Sequence, residues 1–502
     1  MTDSRQATNS VCQMMAMAVF ILSILAAGGA FAQPKSAAAN NATNNAKTNA
    51  KPTGSRLTLQ DYLSQVATKH SGYKAAYLTS KGAKLTSQEA KLLFRPTLFG
   101  NAGASVAGQA NPFSDAEQFT SKTFSLGIGQ STDVGLSAKL TANRSEFALN
   151  AGALSGKYEE NWTQLELTQS IWRNWAGREI DAQSEAMEYS ALANAFAQSH
   201  AGKALMLEAE AAYWRLALSR EVVLVQRDAL ERAQRSSVWA DRRARMQLAD
   251  RAEALQTSTA LQARRLELKA AEDEASAAAQ AFNSSRGLNS NDVDENLVEI
   301  TPTLTDSLQV PERTSKRDDV KSAELTAKAG AANAQIARER NKPTVELYAA
   351  LPLTEPEDPT GAFATVIPQT SRVSTTVGVR ATIPLDFATT SRVRQGYDAQ
   401  ATASTHVFER KAFEEERDWT DLVNKFTQAK QRLKLYEELE KQQREKLLYE
   451  RDRQSRGRST LQAVLIYEGD YQISQLGRIR TLAELLTLNA QMKLYGVSYE
   501  SR

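Results

Sequence analysis

The side chains that most often do chemistry are sparse in this 502-residue chain, and their spacing does not bring them together. There are three histidines, His70, His200 and His406, far apart and each in a stretch that reads as helical. None has a metal-ligand spacing or a nucleophile motif beside it, so a surface or interface role is expected for each. Gly127-Ile128-Gly129 is too little for a phosphate loop and lies in strand-like alternation. Carboxylates are plentiful but alternate with Lys and Arg along helices, as on solvated faces. No enzyme activity, metal site or cofactor is therefore expected. What the spacing does gather is positive charge. Arg242, Arg243, Arg245 and Arg251 flank one break in helical pattern, and Arg451, Arg453, Arg456 and Arg458 flank another. Arginines near a helix C-terminus are favoured by the helix dipole, so a solvated helix end would account for them. The sharper reading is an entrance that tolerates anions, or a docking site for another protein.

Those clusters have to be held by larger elements. Hydrophobic residues make up 42% and charged residues 24%, which describes a folded chain. The formal net charge of +3 is too small at this length to argue for nucleic acid. Arg5 precedes an apolar run from Met14 to Ala27, and Ala30-Phe31-Ala32 supplies an A-x-A pattern before Gln33. Residues 1–32 thus read as a secretory signal peptide; the run is short for a membrane anchor and Gly28-Gly29 ends it. Cys12, the only cysteine, lies inside it, so the mature chain would carry no disulfide and no thiolate. Residues 33–56, rich in Asn, Ala, Lys and Thr, are expected to be a flexible lead.

Beyond the lead the chain is a tandem repeat, with a first copy at 57–300 and a second at 301–502. A shift of about 247 positions aligns residues 73–98 with 320–345 without a gap. Lys74 meets Lys321, Gln88 meets Gln335, and Arg95-Pro96-Thr97 meets Lys342-Pro343-Thr344. In each copy an Ala- and Lys-rich helix stops at the proline, which cannot continue it. Period-2 alternation follows: Val345, Leu347, Ala349 and Leu351, then, past Pro356, Pro359 and Pro368, Val373, Val377, Val379, Ala381 and Ile383. The first copy has strands around Phe99 to Val106 and at Leu165, Leu167 and Ile171. It also carries an insertion, 109–158, in which Phe124, Leu126 and Ile128 alternate, Asp133-Val134-Gly135 turn, and Leu136, Ala138 and Leu140 alternate. This pattern predicts an extra hairpin, either inside the same sheet or beyond it.

After the strands come proline-free helical stretches, 176–246 and 388–456. Leu422, Phe426, Ala429, Leu433 and Tyr436 are spaced as a coiled-coil seam. Nearly seventy helical residues reach roughly 100 Å, which suits a device spanning a wide gap. Turns are expected at Met246 to Asp250 and at Gly457 to Thr460, with returning helices ending near Gly287 and Tyr495.

Strands of about ten residues can cross a bilayer when tilted, and open edges are not tolerated there. Too few strands are present for one chain to close a barrel, so a homo-oligomer is expected. Aromatics near the strands (Phe94, Phe99, Tyr158, Trp162, Trp172, Trp175, Phe363 and Phe387) could form interfacial girdles. A soluble β-domain with ordinary core aromatics is the plainer alternative.

At this point the chain resembles the TolC family of outer-membrane efflux and secretion proteins, from Leu57 to the C-terminus. The likeness is carried by Leu167-Thr168-Gln169-Ser170-Ile171 followed by Gly177-Arg178, by Glu210-Ala211-Ala212-Tyr213-Trp214, and by Gly457-Arg458-Ser459-Thr460-Leu461. The resemblance implies an α+β membrane protein: a homotrimer whose strand pairs, four strands per protomer, share a transmembrane β-barrel, and whose long helical hairpins form a periplasmic α-barrel. It implies outer-membrane lipid around the strands, and a periplasmic adaptor protein and an inner-membrane pump as partners. The duct itself would be passive, serving efflux or type I secretion. Family members often close the periplasmic end with acids just after the tips. Here Gln247 stands where the first turn glycine would be, Glu253 follows it, and Ala463 occupies the matching position after Gly457. The next acids are Glu468 and Asp470. Arg245, Gln247, Asp250, Glu253, Gly457, Arg458, Glu468 and Asp470 are thus the gate candidates, without a clear acidic ring. The alternative reading is a periplasmic coiled-coil adaptor or scaffold, which would show one helical hairpin rather than two.

Overall fold

The computed structural model describes residues 56–107, 118–150, 156–247, 250–297, 308–313, 315–354 and 375–496. The leader and nearly all of the lead lie outside these residues. So do Pro356, Pro359, Phe363, Pro368 and Val373 of the second strand region.

The chain forms two compact units, and each draws on both repeats. One holds residues 94–180 and 342–385; the other holds 52–93, 181–341 and 386–502. In chain order the elements are β1 (Arg56–Leu57), α1 (Leu59–Lys69), α2 (Ser71–Thr86), β2 (Thr97–Ala107), β3 (Gln118–Ser131), β4 (Leu136–Asn150) and β5 (Gly156–Ser170). There follow α3 (Arg178–Arg245), α4 (Arg251–Ser285), β6 (Asn296–Leu297), α5 (Asp318–Arg340), β7 (Thr344–Pro352), β8 (Thr376–Thr382), α6 (Phe387–Ser455) and α7 (Leu461–Met492). The repeat is visible at once: α2 and α5, and likewise β2 and β7, begin at equivalent positions, Ser71 with Asp318 and Thr97 with Thr344. A short 3-10 stretch, Ser87–Phe94, completes in the first copy what α5 spans as continuous helix.

The first unit is a six-stranded antiparallel sheet in the order β2-β3-β4-β5-β7-β8. The insertion therefore supplies two interior strands. β3 pairs with β2 over Phe119–Gly129 and with β4 along its whole length, and β4 pairs with β5. The expected turn at Asp133-Val134-Gly135 joins β3 to β4, with Gly135 at φ 78°.

The second unit is helical. Its starts and stops are local: Thr58 accepts a hydrogen bond from the Asp61 amide, 3.2 Å, at the head of α1. His70, expected inside a helix, instead separates two: it ends α1, and its Nδ1 accepts from the Tyr73 amide, 3.0 Å, to begin α2. Capping side chains are preferred at such breaks, and an imidazole can play that part. The core gathers Tyr62, Tyr213 and Phe282, with Tyr62 stacked on Phe282 at 4.3 Å between centroids. Tyr62 donates to the Phe282 carbonyl and Tyr213 to the Leu57 carbonyl, so both buried hydroxyls are satisfied. The Glu210–Trp214 segment is thus a core segment. Glu210, buried, meets Lys493 at 2.6 Å. The seam predicted on α6 is buried at Leu422, Phe426, Ala429 and Leu433, beside Ile479, Leu482 and Leu485 of α7. Tyr436 continues it, half-buried against the bare backbone of Gly477.

Candidate membrane face and helix-tip site

The sheet has two chemically different faces, fixed by register. Leu98 faces Ile128, Ile128 faces Leu140, Leu140 faces Leu165 and Leu165 faces Leu351, an unbroken apolar row over five strands. The neighbouring row runs Gln130, Ala138, Leu167, Ala349, Val377, and Leu347 opposes Val379 beyond it. Leu98, Phe124, Leu126, Ile128, Leu140, Leu347, Val377 and Val379 are all exposed. The other face carries Ser125, Asn143, Thr141, Gln164, Thr168 and Thr376. Lys139 and Glu166 meet there at 3.9 Å, and Lys139 lies 5.0 Å from the Phe99 ring centroid. On the apolar side the band gives way to charge: Lys122 pairs with Glu146, and Arg144 with Glu146 and Glu159, at 3.8, 3.2 and 3.0 Å.

Two expected girdle aromatics sit elsewhere. Register puts Phe99 and Trp162 on the polar face, Phe99 lying over Gly127, where a Cβ would strike its ring. A glycine under an aromatic is a packing solution inside the sheet, which the residue types alone do not reveal. Trp172 and Trp175 are exposed at the junction after β5.

That junction is tightly built. Asn174 and Ala176 take left-handed backbone angles, and Asn174 Oδ1 accepts from the Glu179 and Ile180 amides at the start of α3. Arg173 grips Glu179 with two bonds of 2.7 and 2.8 Å. Gly177, φ 75°, touches the β3–β4 turn so closely that a Cβ there would overlap the Asp133 carbonyl. Ser170 donates its amide to the Gly135 carbonyl and Gln169 its side-chain amide to the Val134 carbonyl. At the other strand starts, Pro96 and Pro343 precede Thr97 and Thr344, and Thr97 Oγ1 donates to the Gly129 carbonyl, 3.1 Å.

The helix tips match each other in geometry. Gln247 and Gly457 are both left-handed, φ 58° and 72°, the conformation that ends a helix. Arg458 N donates to the Arg453 carbonyl across the second turn. Asp250 caps α4 through the Ala252 amide, and Thr460 caps α7 through the Ala463 amide. Three of the eight tip arginines have local carboxylate partners: Arg245 with Asp241 at 2.7 Å, Arg456 with Asp452 at 3.0 Å and Arg453 with Glu450 at 3.4 Å. Ser459 also donates to Glu450. Glu468, buried, binds Arg451 at 2.5 Å, and Asp470 lies 3.9 Å from Lys446. Glu253 follows in the first turn of α4.

Sequence reading missed Arg232, one helical stretch above the first tip. It is only 5% exposed, stacks over Tyr471 at 5.6 Å and donates to Asp228, while its Nε and Nη2 have no hydrogen-bond partner among the described residues. Burial lowers its pKa from the ordinary value; Glu468 opposes that and Arg451 adds to it. It lines a cavity of about 340 Å³ with Arg235, Trp239, Arg451, Ser455 and Leu461. Past this cavity α3 continues to Arg245. Nothing in the period of α3 marks position 232 as buried, because its contacts come from α6 and α7.

No protein-family model matches the sequence, and no curated protein does. Solved structures do. The outer-membrane protein VceC of Vibrio cholerae superposes with a TM-score of 0.62 at 15% identity, over 88% of this chain and 97% of that one. The open state of the MtrE outer-membrane channel of Neisseria gonorrhoeae gives 0.59 at 15% identity, over 86% and 88%. The CmeC outer-membrane channel of Campylobacter jejuni gives 0.57 at 14% identity, over 94% and 96%. At that identity what is shared is architecture, and the chain is built on the fold of the TolC-type outer-membrane channels.

Proposed function

We propose that the protein is a passive exit duct in the outer membrane of a tripartite efflux or type I secretion system. The observation that carries this reading is the exposed apolar face running without a break across the sheet, backed by a polar face. In water such a face would be costly, and in lipid it is the surface a strand must present. An open sheet edge is not tolerated in lipid, so copies close the ring together, and three is the number the family resemblance implies. The helices α3 and α6, 68 and 69 residues long, have the reach, about 100 Å, to extend through the periplasm. Among the described residues no helix is long and apolar enough to cross a membrane.

In this reading the partners are outer-membrane lipid, a periplasmic adaptor protein at the helix tips and an inner-membrane pump that supplies the energy. Arg245, Gln247, Asp250, Glu253, Gly457, Arg458, Glu468 and Asp470 form the periplasmic entrance. Of its acids, Glu468 is paired with Arg451, Asp250 caps α4 and Asp470 lies near Lys446, which favours an anion-tolerant mouth over an acidic gate. The test is fractionation followed by planar-bilayer recording. The protein should sediment with the outer membrane, require detergent, and conduct as an oligomer. Release into the soluble periplasmic fraction without detergent would sink the duct and favour an adaptor or scaffold.

A further inference from the structure

We infer that the inserted hairpin β3–β4 is itself a membrane-crossing pair, so that each protomer contributes six strands and three copies close a ring of eighteen. The inference rests on the duct reading and gives it a specific wall. The resemblance implied four strands per protomer; the sheet of this chain has six, with the insertion in its interior.

Three observations carry it. The first is pairing. The insertion does not stand beyond the sheet as a free flap: β3 and β4 are bonded to each other over fourteen positions and to β2 and β5 on either side. Removing them from the membrane would break both of those ladders and require β2 and β5 to find new partners in lipid.

The second is facial chemistry. Phe124, Leu126, Ile128 and Leu140 of the hairpin lie on the same face as Leu347 and Val379 of the second repeat and are likewise exposed. The hairpin thus extends the apolar band rather than interrupting it. On the hairpin that face is apolar over Phe124–Ile128 and Ala138–Ala142, about 14 Å at ~3.4 Å per residue, and it ends at the charged group of Lys122, Arg144 and Glu146. The reverse face of the hairpin carries Ser121, Thr123, Ser125, Lys139, Thr141 and Asn143 in its middle, with Phe147 toward one end, a mostly polar surface suited to a wet lumen.

The third is parity. Six alternating strands leave edges β2 and β8 running in opposite directions. The β8 edge of one copy can then meet the β2 edge of the next as an antiparallel pair, and the meander closes without a parallel step. The turn at Asp133–Gly135 is moreover locked to the junction at Gly177, so the hairpin is held in register from its closed end. Barrel diameter grows roughly in proportion to strand number, so eighteen strands give a lumen about half again as wide as twelve. A bulkier class of cargo would fit such a pore.

The test uses the full chain in a Cys12→Ser background, reconstituted in vesicles, with an environment-sensitive dye on single cysteines. Leu126→Cys, Leu140→Cys and, as the reference outside the insertion, Val379→Cys should show blue-shifted emission quenched by spin-labelled lipid. Ser125→Cys and Thr141→Cys should be quenched by aqueous iodide instead. If Val379→Cys reports lipid while Leu126→Cys and Leu140→Cys do not, the six-strand wall is wrong and the duct stands. If Val379→Cys does not report lipid either, both fail. Single-particle images of the purified oligomer should count eighteen crossing strands; twelve, with the hairpin outside, would likewise overturn the inference and spare the duct.

Discussion

The sheet and the helical unit place their apolar side chains in opposite ways. In the helical unit Tyr62, Tyr213, Phe282, Phe426 and Leu485 are buried, and buried acids such as Glu210, Glu415 and Glu468 each face a cation. In the sheet Leu126, Ile128, Leu347 and Val379 point outward, and close packing is found at backbone level, where Gly127, Gly135 and Gly177 admit neighbours that a Cβ would exclude. One rule, apolar groups away from water, explains both if the helices stand in water and the sheet in lipid. The helical unit is then stabilised mainly by side-chain packing. The sheet, with no buried apolar side chain among the described residues, depends on its ladders and turns.

That contrast can be broken most forcefully at Gly177. Gly177→Val places a β-branched residue at a left-handed φ and drives its Cβ into the Asp133 carbonyl, so the β3–β4 turn has to move. The expected result is loss of the membrane-inserted oligomer with helical circular dichroism retained. Phe426→Ala should do the reverse. It removes a ring that is 2% exposed from the α6–α7 seam, costing about 3–5 kcal/mol and lowering the helical melting transition, with insertion kept. If Gly177→Val inserts normally, the sheet does not rely on that junction.

A smaller effect should separate the units by pH. His200 lies in α3, half-buried, with Nδ1 lacking a partner among the described residues. Burial lowers its pKa, a shift opposed by Asp319 and Asp318 and reinforced by Arg317 and Lys203. A folded pKa below the unfolded value of about 6.5 means the unfolded chain takes the proton first as pH falls. Stability of the helical unit should therefore decline below about pH 6.5, by no more than about 1.4 kcal/mol per pH unit from this group. Urea titrations of His200→Gln should show a flatter slope there. An unchanged slope would remove His200 as the cause.

Much of this was readable from residues alone, and what was not has a common origin. The Asp133–Gly135 turn, the α6 seam and the turns near Gln247 and Gly457 are local or periodic signals: Gly135, Gln247 and Gly457 all have positive φ, and Leu422, Phe426, Ala429 and Leu433 are buried. The seating of the hairpin between β2 and β5 was left open, because strand partners are chosen by long-range register. The faces of Phe99 and Trp162 follow from that same register. The basic tips were legible as charge, but their neutralisation is only partly local: Asp241 and Asp452 lie one turn from their arginines, whereas Glu468 reaches Arg451 from the returning helix. Arg232 was invisible for the same reason.

The smallest expected effect lies at the tips themselves, where the two repeats solve one turn with different residues. Both turn positions have positive φ, but the first uses Gln247 and the second Gly457. Left-handed backbone costs a residue with a Cβ roughly 1 kcal/mol relative to glycine. Around Gly457 there is open space within 4 Å, so Gly457→Ala meets only that backbone cost and should destabilise the α6–α7 hairpin by about 1 kcal/mol. Gln247→Gly should stabilise the first tip by a similar amount or less, since glycine also gains freedom in the unfolded chain. Native-state hydrogen exchange at the two tips reads both changes. Opposite signs would show that the strain is in the backbone. A Gln247→Gly variant that loosens its tip would instead mean the glutamine side chain stabilises the turn, and the two tips would then be held by different interactions.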